Sequence, residues 1–343
     1  MAERCIYIDE SPGETRGVVT LGDRAERLLI ERPDQIYPGL GARHAARVLK
    51  IDRGTGLALL ALDGAGQAAL RLKADRAPPT EGQALDVEIA IEAQGDKDAV
   101  ARIVAPGEPG PGRPQSLQDR LARFAPGAPV VRGAAARAVA DEAEDEALAI
   151  EHPLPQGGSL AVEVTRALTA VDVDLGAGGG RDPKRAARQA NLQAIAALGR
   201  LLRLKALGGL VVMDLVGRGH DGQALAQAVQ AAFAPDQPGV VVGPVTRFGT
   251  LELAIPRRYR PVRDILCDAE GRLSSGTLAL RLMRAIEGQG RADPGGRLVA
   301  RCAPDVFEAA SAYAPILAGV IGARFEIIPD PGRRRDSLEV GSR

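Results

Sequence analysis

One stretch of this sequence cannot pack into anything. Pro106–Pro114 carries four prolines with glycines and charged residues between them. Such a run lacks both apolar side chains and backbone donors, so it reads as an extended connector. Before it, short apolar runs are broken by Gly, Asp and Pro: Arg16–Thr20, Arg27–Ile30, Ala45–Ile51, Leu57–Leu62, Ala68–Leu72, Ala84–Ile91 and Ala99–Val104. Runs of that length and punctuation are strands, and their number points to a small β-barrel.

After the connector the period changes. Leu117–Phe124 is a short helical stretch. Ala134–Ile150 is an Ala-rich helix whose acidic block, Asp141–Glu146, reads as a solvated face. Strands and helices then alternate. Ser159–Val164 and Leu168–Val173 are strands, and Gly176–Gly180 is a loop. Pro183–Leu207 is an amphipathic helix, with a first-turn proline and the pair Gly208–Gly209 to close it. Leu210–Leu215 is an apolar run of the kind covered on both faces, Gln223–Phe233 a helix, and Val240–Val242 and Thr250–Ile255 short strands. This is a mixed α/β layer. A last unit follows: helix Leu278–Glu287, strand Arg297–Cys302, helix Asp305–Ala318 and strand Phe325–Ile328. The charged tail Arg333–Arg343 is expected to fray.

The charge balance removes one option. With 44 basic and 44 acidic residues the formal net charge is zero. Any grip on nucleic acid must therefore come from local patches. Cys5, Cys267 and Cys302 are scattered and form no disulfide framework. No apolar run approaches the roughly 20 residues that cross a bilayer, and MAERCIYIDESPGE is no secretory signal. The expectation is a cytoplasmic protein that does not engage the membrane. His44, His152 and His220 are isolated and read as loop or surface residues.

Two carboxylates stand where apolar strands should have none. Asp172 interrupts LTAVDVDLG, with Asp174 two positions on and so on the same strand face; Asp214 interrupts LVVMDLV. A charge in an apolar strand is costly unless it is paired or binds a cation. If the two strands are neighbours, the aspartates converge at their carboxyl ends, where open α/β sheets place their sites. Carboxylates gathered on a flexible rim suit magnesium. The pattern equally allows Asp172 and Asp174 to cap the following loop and Asp214 to end its strand in a turn.

At these residues the sequence resembles the ribonuclease E/G family. LTAVDVD (Leu168–Asp174), NLQAI (Asn191–Ile195), LGGLVVMDLV (Leu207–Val216) and TRFGTLELAIPRR (Thr246–Arg258) stand in the order and spacing of that family's LTAIDIN, NLEAA, LGGLIVIDFI and SRFGLLEMSRQR. IYPGLGARHAARVLKI (Ile36–Ile51) stands where the family reads NIYKGKITRI. The resemblance implies a shortened, divergent member. Its fold would be multidomain α/β: an N-terminal S1-type OB-fold β-barrel, a central mixed α/β region of DNase I-like and RNase H-like parts, and a small C-terminal α/β domain. The implied division is 1–35 leading strands of the RNase H-like part, 36–104 the S1-type domain, and 105–156 a linker with a shortened RNase H-like and sensor region. Then come 157–262 the DNase I-like catalytic domain, 263–276 a degenerate zinc-link segment, 277–332 the small domain, and 333–343 the tail.

The implied activity is a magnesium-dependent endoribonuclease, with manganese as a substitute, that cuts single-stranded RNA in rRNA maturation or RNA turnover. Asp172 and Asp214 would hold the metal. Asp174 replaces the family's asparagine; an ionised carboxylate there cannot donate a hydrogen bond, and it either joins as a third ligand or perturbs its neighbours. Arg247, Arg257 and Arg258, with Arg43, Arg47 and Lys50 of the barrel, are the residues expected to grip RNA phosphate.

Three departures stand out. The barrel has no aromatic residue between Tyr37 and Phe124, so base stacking there is expected to be weak. The segment that senses a 5′-monophosphate finds no match. The family's CPxCxGTG zinc link is reduced to CDAEGRLSSGT (Cys267–Thr277), with one cysteine where two are needed, so no zinc and no zinc-bridged dimer are expected; a metal-free homodimer stays open. The second reading is an RNA-binding or scaffold protein of the same family with impaired catalysis. A nucleotide enzyme on a Rossmann-like sheet is disfavoured, because the chain has no Walker loop: Gly176–Gly180 lacks the following Lys-Ser/Thr.

Overall fold

The computed structural model describes residues 3–33, 38–72, 77–95, 97–105, 108, 115–176, 182–236 and 238–342. Nearly all of the connector Pro106–Pro114 and most of the loop Gly176–Gly180 lie outside the described residues.

Strands β1 (Arg4–Ser11), β2 (Glu14–Leu21) and β3 (Arg24–Glu31) form an antiparallel meander. The β1–β2 turn needs Gly13: its φ is +83°, and a Cβ there would run into the Tyr313 ring. These strands stay outside the barrel. The barrel comprises β4 (Arg43–Asp52), β5 (Leu57–Leu62), β6 (Gly66–Arg71), β7 (Ala84–Ile91) and β8 (Ala99–Ile103), closed in the order β4-β5-β6-β8-β7. Inward positions alternate, and they hold small and aliphatic side chains such as Val48, Leu60, Ala68 and Ile89.

After the connector, α1 (Leu117–Ala122) starts in a capping box between Ser116 and Asp119. Strand β9 (Val130–Arg132) then joins β1 in parallel, and α2 (Ala134–Leu148) lies across the meander. Helix α2 buries Ala136, Ala140, Ala143 and Ala147, a stripe of small side chains on one face. Its acidic block is not the solvated face the composition suggests. Asp141 and Asp145 are exposed, but Glu144 is only 1% exposed and pairs with Arg16 at 2.9 Å, Arg281 at 2.8 Å and Arg284 at 3.3 Å. Burial alone would raise the Glu144 carboxyl; Arg284, Arg281 and Arg16 hold it below the usual carboxylate range.

The central sheet contains β10 (Glu151–Pro153), β11 (Ser159–Val164), β12 (Thr169–Asp174), β13 (Gly209–Asp214), β14 (Val241–Val242) and β15 (Thr250–Ile255), in the order β10-β11-β12-β13-β15-β14. Helix α3 (Pro183–Leu204) connects β12 to its parallel neighbour β13, and α4 (Gly222–Phe233) follows β13. Both helices pack on one face, against Val162, Val171, Val211, Met213 and Leu253. The run Leu210–Leu215 is therefore covered on one side only: Val211 and Met213 are buried, while Leu210 is 44% exposed. Helix α3 also ends earlier than its glycine pair suggests. Lys205 is its C-cap, and the left-handed position falls on Ala206 at φ +56°.

Helix α5 (Val262–Leu266) leads to the last unit: α6 (Ser275–Ala292), β16 (Leu298–Cys302), α7 (Pro304–Ser311), α8 (Ala314–Ile321), β17 (Phe325–Pro329) and β18 (Glu339–Ser342). The helix expected over Asp305–Ala318 is two helices. Pro315 sits in the first turn of α8, where a proline is tolerated, and Tyr313 marks the break. The tail does not fray: β18 pairs antiparallel with β16, and Arg333 and Arg335 tie it down through Glu339, Asp305 and Asp268. Among the described residues no helix is long and apolar enough to cross a membrane.

Two predictions follow from these polar interiors. Glu144→Gln leaves arginines buried without their counter-charge and should cost about 3–5 kcal/mol, read from the urea midpoint; a change under about 0.5 kcal/mol, the size of an ordinary surface substitution, would show the network to be dispensable. His152, on β10, is 6% exposed, and burial with Lys205 nearby lowers its pKa to about 4. The unfolded chain then binds more protons between pH 6.5 and about 4, so stability is lost as pH falls through that window. His152→Phe should flatten the window in thermal melts; an unchanged slope rules His152 out as its source.

Candidate active site at the carboxyl ends of the central strands

The last paired residues of β12 and β13 are Val171 and Met213, and both point into the covered core. Asp172 and Asp214 follow one step later, so both project from the opposite, uncovered face. Neighbouring strands lie about 4.8 Å apart, which sets the two aspartates side by side. Both are exposed, and among the described residues neither carboxylate has a hydrogen-bond or ion-pair partner. Across β13, Asp214 faces Thr250 of β15; across β12, Asp172 faces Ala161 of β11. One row back, Glu163 and Glu252 are exposed on the same face.

Asp174 sits one row further out, opposite Ser159, and accepts a bond from the Gly176 amide at 2.8 Å. It caps the turn that leaves β12. Among the described residues, no group of three or more His, Cys, Asp or Glu side chains is arranged to hold a metal ion. The arrangement is thus a pair of carboxylates, Asp172 and Asp214. A pair fits magnesium, which is commonly held through one or two carboxylates and keeps its remaining positions for water and substrate phosphate.

Sequence reasoning missed the residue that fixes the end of β13. Asn191 lies on the buried face of α3, 2% exposed, and clamps Val216: its Nδ2 donates to the Val216 carbonyl at 3.0 Å, and its Oδ1 accepts from the Val216 amide at 3.1 Å. An amide on an otherwise apolar helix face was the signal available, since a buried amide must find partners. On the other side, the Leu215 amide donates to the Gly249 carbonyl at 3.1 Å. The two residues that follow Asp214 are thereby held from both flanks.

A basic rim surrounds this end of the sheet. A cleft of about 420 Å³ lies between the first turns of α3 and α4, lined by Lys184, Arg185, Arg188, Arg218 and His220. Of these, Arg188 is paired with Asp221 at 2.9 Å. Arg247 stands in the turn before β15, at the same end as Asp214. Arg257 and Arg258 do not join it. They follow Ile255, which pairs with Gly209 at the far end of β13, roughly 17 Å along the strand. On the barrel, Arg43 is held by Glu88 and Glu108, both at 2.8 Å, whereas Arg47 and Lys50 are exposed.

His44 lies on β4, and His152 on the covered face of β10, both away from the aspartate pair. His220 is the exception to the surface reading: it is half-buried in the β13–α4 loop, and its Nε2 is enclosed without a partner. Cys267 packs in an apolar cluster with Leu273, and burial pushes its thiol up. The segment it begins is closed by Asp268, whose amide bonds the Arg272 carbonyl at 2.7 Å.

Residues 131–258 match the sequence model of the Ribonuclease E/G family. Ribonuclease E of Escherichia coli (strain K12) is 34% identical over 144 residues, which are 39% of this chain and 14% of that protein. Ribonuclease E of Haemophilus influenzae is 31% identical over 144 residues, covering 39% of this chain and 15% of the relative. Ribonuclease G of Escherichia coli (strain K12) is 27% identical over 166 residues, 46% of this chain and 34% of that protein. The matched stretch thus spans about a third or less of the length of each of these relatives. That stretch holds both aspartates, Asn191 and the Arg247 turn, and over it the chain is similar to the Ribonuclease E/G family.

Proposed function

We propose that this chain is a magnesium-dependent endoribonuclease that cuts single-stranded RNA, with Asp172 and Asp214 as its metal ligands. The observation that carries the reading is the pair itself: two carboxylates one step beyond the last register pair of neighbouring parallel strands, on an open sheet face, without partners among the described residues. Like charges placed opposite each other across strands weaken a sheet, so stability gives no reason to keep them. When bound, magnesium supplies Lewis acidity toward a phosphodiester and lowers the pKa of water, and manganese can substitute.

The protein's own residues do the rest. Asp172 and Asp214 define the position of the reacting phosphate. Arg247 and Arg218, with Lys184 and Arg185 of the cleft, attract the flanking phosphates to an end of the sheet that is otherwise acidic. Asp174 shapes the turn that carries the rim. Asn191 is a positioning residue that acts through Val216 on the end of β13. The expected products are a 5′-phosphate and a 3′-hydroxyl, and the setting cytoplasmic rRNA maturation or RNA turnover.

The same reading assigns the barrel as an S1-type OB-fold within 36–104 and the central sheet as the DNase I-like part within 157–262. The meander with α1, β9 and α2 would be a shortened RNase H-like part (1–35 and 105–156), 263–276 the degenerate link without zinc, 277–332 the small domain and 333–343 its tail. Arg47 and Lys50 would contribute weakly to RNA capture, Arg43 less so because Glu88 and Glu108 neutralise it. Arg257 and Arg258 would touch RNA only far from the cut. The tied-up Arg43 and the barrel's lack of aromatics favour the second reading, an RNA-binding scaffold with impaired catalysis.

Cleavage of a labelled single-stranded RNA in magnesium decides between them. Asp172→Asn and Asp214→Asn should each lose more than the roughly 10- to 100-fold that removal of a supporting partner costs. Their melting temperatures in EDTA should equal or exceed the wild type's, since each substitution removes a repulsion. Wild-type protein that leaves RNA intact in magnesium and manganese, yet retards it in a gel, establishes the scaffold reading instead. Asn191→Leu should shift the magnesium activation curve by about 10- to 100-fold, with partial recovery at saturating metal. A loss of stability with an unshifted curve would make Asn191 a core residue only.

A further inference from the structure

We propose that Phe248 is a stacking platform for one unpaired nucleobase of the RNA, next to the phosphate held at Asp172 and Asp214. The inference rests on the ribonuclease reading of that site. A single exposed apolar residue needs no explanation by itself, but Phe248 combines four features that do. It is the most exposed of the large apolar side chains, at 77%, and among the described residues no other aromatic side chain is exposed. It stands two residues before Thr250, the residue that faces Asp214 across β13 and β15. Its ring carries the Arg247 guanidinium 4.7 Å from its centroid, so an aromatic face and a phosphate-seeking cation are presented together.

The fourth feature is rigidity. The turn Thr246–Gly249 is stapled from within. Thr246 Oγ1 accepts from the Phe248 amide at 3.3 Å and from the Thr250 amide at 3.3 Å, and it lies 2.7 Å from Thr250 Oγ1. The Thr246 amide donates to the Thr250 carbonyl at 2.9 Å, and the Gly249 amide to the Thr246 carbonyl at 3.1 Å. Gly249 has φ +89° and leaves room for His220 behind it; a Cβ there would lie 3.4 Å from His220 Nε2. A turn this closely bonded spends little entropy when a ligand lands on it. Phe248 also borders the wide cleft that includes Arg218, His220 and Arg247, so a strand crossing the aspartate pair would pass beside its ring.

The idea accounts for an imbalance in the chain. The closed barrel has no aromatic side chain to hold bases, and the net charge is zero. A base-stacking post beside the carboxylates supplies grip where cleavage occurs. It also predicts a preference by unpaired state rather than by base identity, because every base has a stackable face.

The test uses the full chain and a short single-stranded RNA of defined sequence, both intact and with an abasic site placed in turn on each side of the cut. Phe248→Ala should lower kcat/KM on the intact RNA by about 5- to 150-fold, the worth of one stacked base, mainly through KM. Phe248→Tyr should keep the wild-type value. One abasic position should penalise the wild type and leave Phe248→Ala indifferent. Equal cleavage by wild type and Phe248→Ala, or equal penalties from every abasic position in both, overturns the platform while the ribonuclease stands. If the wild type does not cut, anisotropy of the same labelled RNA replaces the rate. Weaker binding by Phe248→Ala with retention by Phe248→Tyr then keeps the platform and sinks the nuclease, and no binding by the wild type sinks both.

Discussion

Arg16 is fully buried, and much of the molecule is arranged around its charge. Its guanidinium lies 2.6 Å from Asp9, 2.9 Å from Glu144 and 2.7 Å from Asp141. Arg284 of α6 bonds Glu14 and Glu144, Arg32 bonds Glu14, and Arg137 joins Asp9 to Glu287. A buried charge without its partner is far more costly than the intact pair is beneficial. The meander, α2 and α6 must therefore dock together or not at all. The chain of polar ties continues toward the site. Arg200 of α3 bonds Glu146, and Lys205 donates to the carbonyls of Glu146, Ala147 and Ala149 at the end of α2. Those carbonyls carry the negative end of the helix dipole, which favours a cation there. The end of α3 is fixed to α2, and α3 sets how β12 and β13 lie beside each other.

What the sequence reveals and what it hides separate along the same line. Strands Leu57–Leu62, Ala84–Ile91, Ser159–Val164 and Thr250–Ile255 are legible because local alternation and turn residues decide them. Asp172 and Asp214 are legible because a charge breaks an apolar strand. Glu144 is not: at that position an acidic helix face and a buried ion-pair partner have the same local pattern, and the arginines that decide lie 128 and more residues away. The tail strand and the break before α8 are likewise set by β16 and by packing, not by local propensity. Arg257 and Arg258 look like neighbours of the site in sequence. The antiparallel course of β15 carries them to the other end of the sheet.

Positive charge and exposed aromatic surface in this chain gather away from the barrel. The barrel closes on alanine, valine, leucine and isoleucine, which build a sound core and offer no stacking face. Its Arg43 is already neutralised. Around the central strand ends, by contrast, Lys184, Arg185, Arg218 and Arg247 border the clefts, and Phe248 stands exposed among them. With a net charge of zero there is no general field to draw in a polyanion. At these strand ends positive side chains and the carboxylate pair coexist within a few residues.

That coexistence explains why the sheet is left open on one face. A second layer of helices would bury Leu210 and Val212 and gain roughly 25 cal/mol per Å² of apolar surface. It would also bury Glu163, Asp172, Asp214 and Glu252, and desolvating so many like charges would cost several kcal/mol each. Exposure is thus the cheaper state for a face with this composition. It keeps the aspartate pair in high dielectric, where repulsion at about 5 Å is under roughly 1 kcal/mol. It also keeps the face accessible to the divalent cation proposed for the pair, which would convert the repulsion into attraction. The covered face supplies the stability, through Val171, Met213 and the stripe of α3. The alternation of the strands lets the two faces serve these separate ends within one sequence.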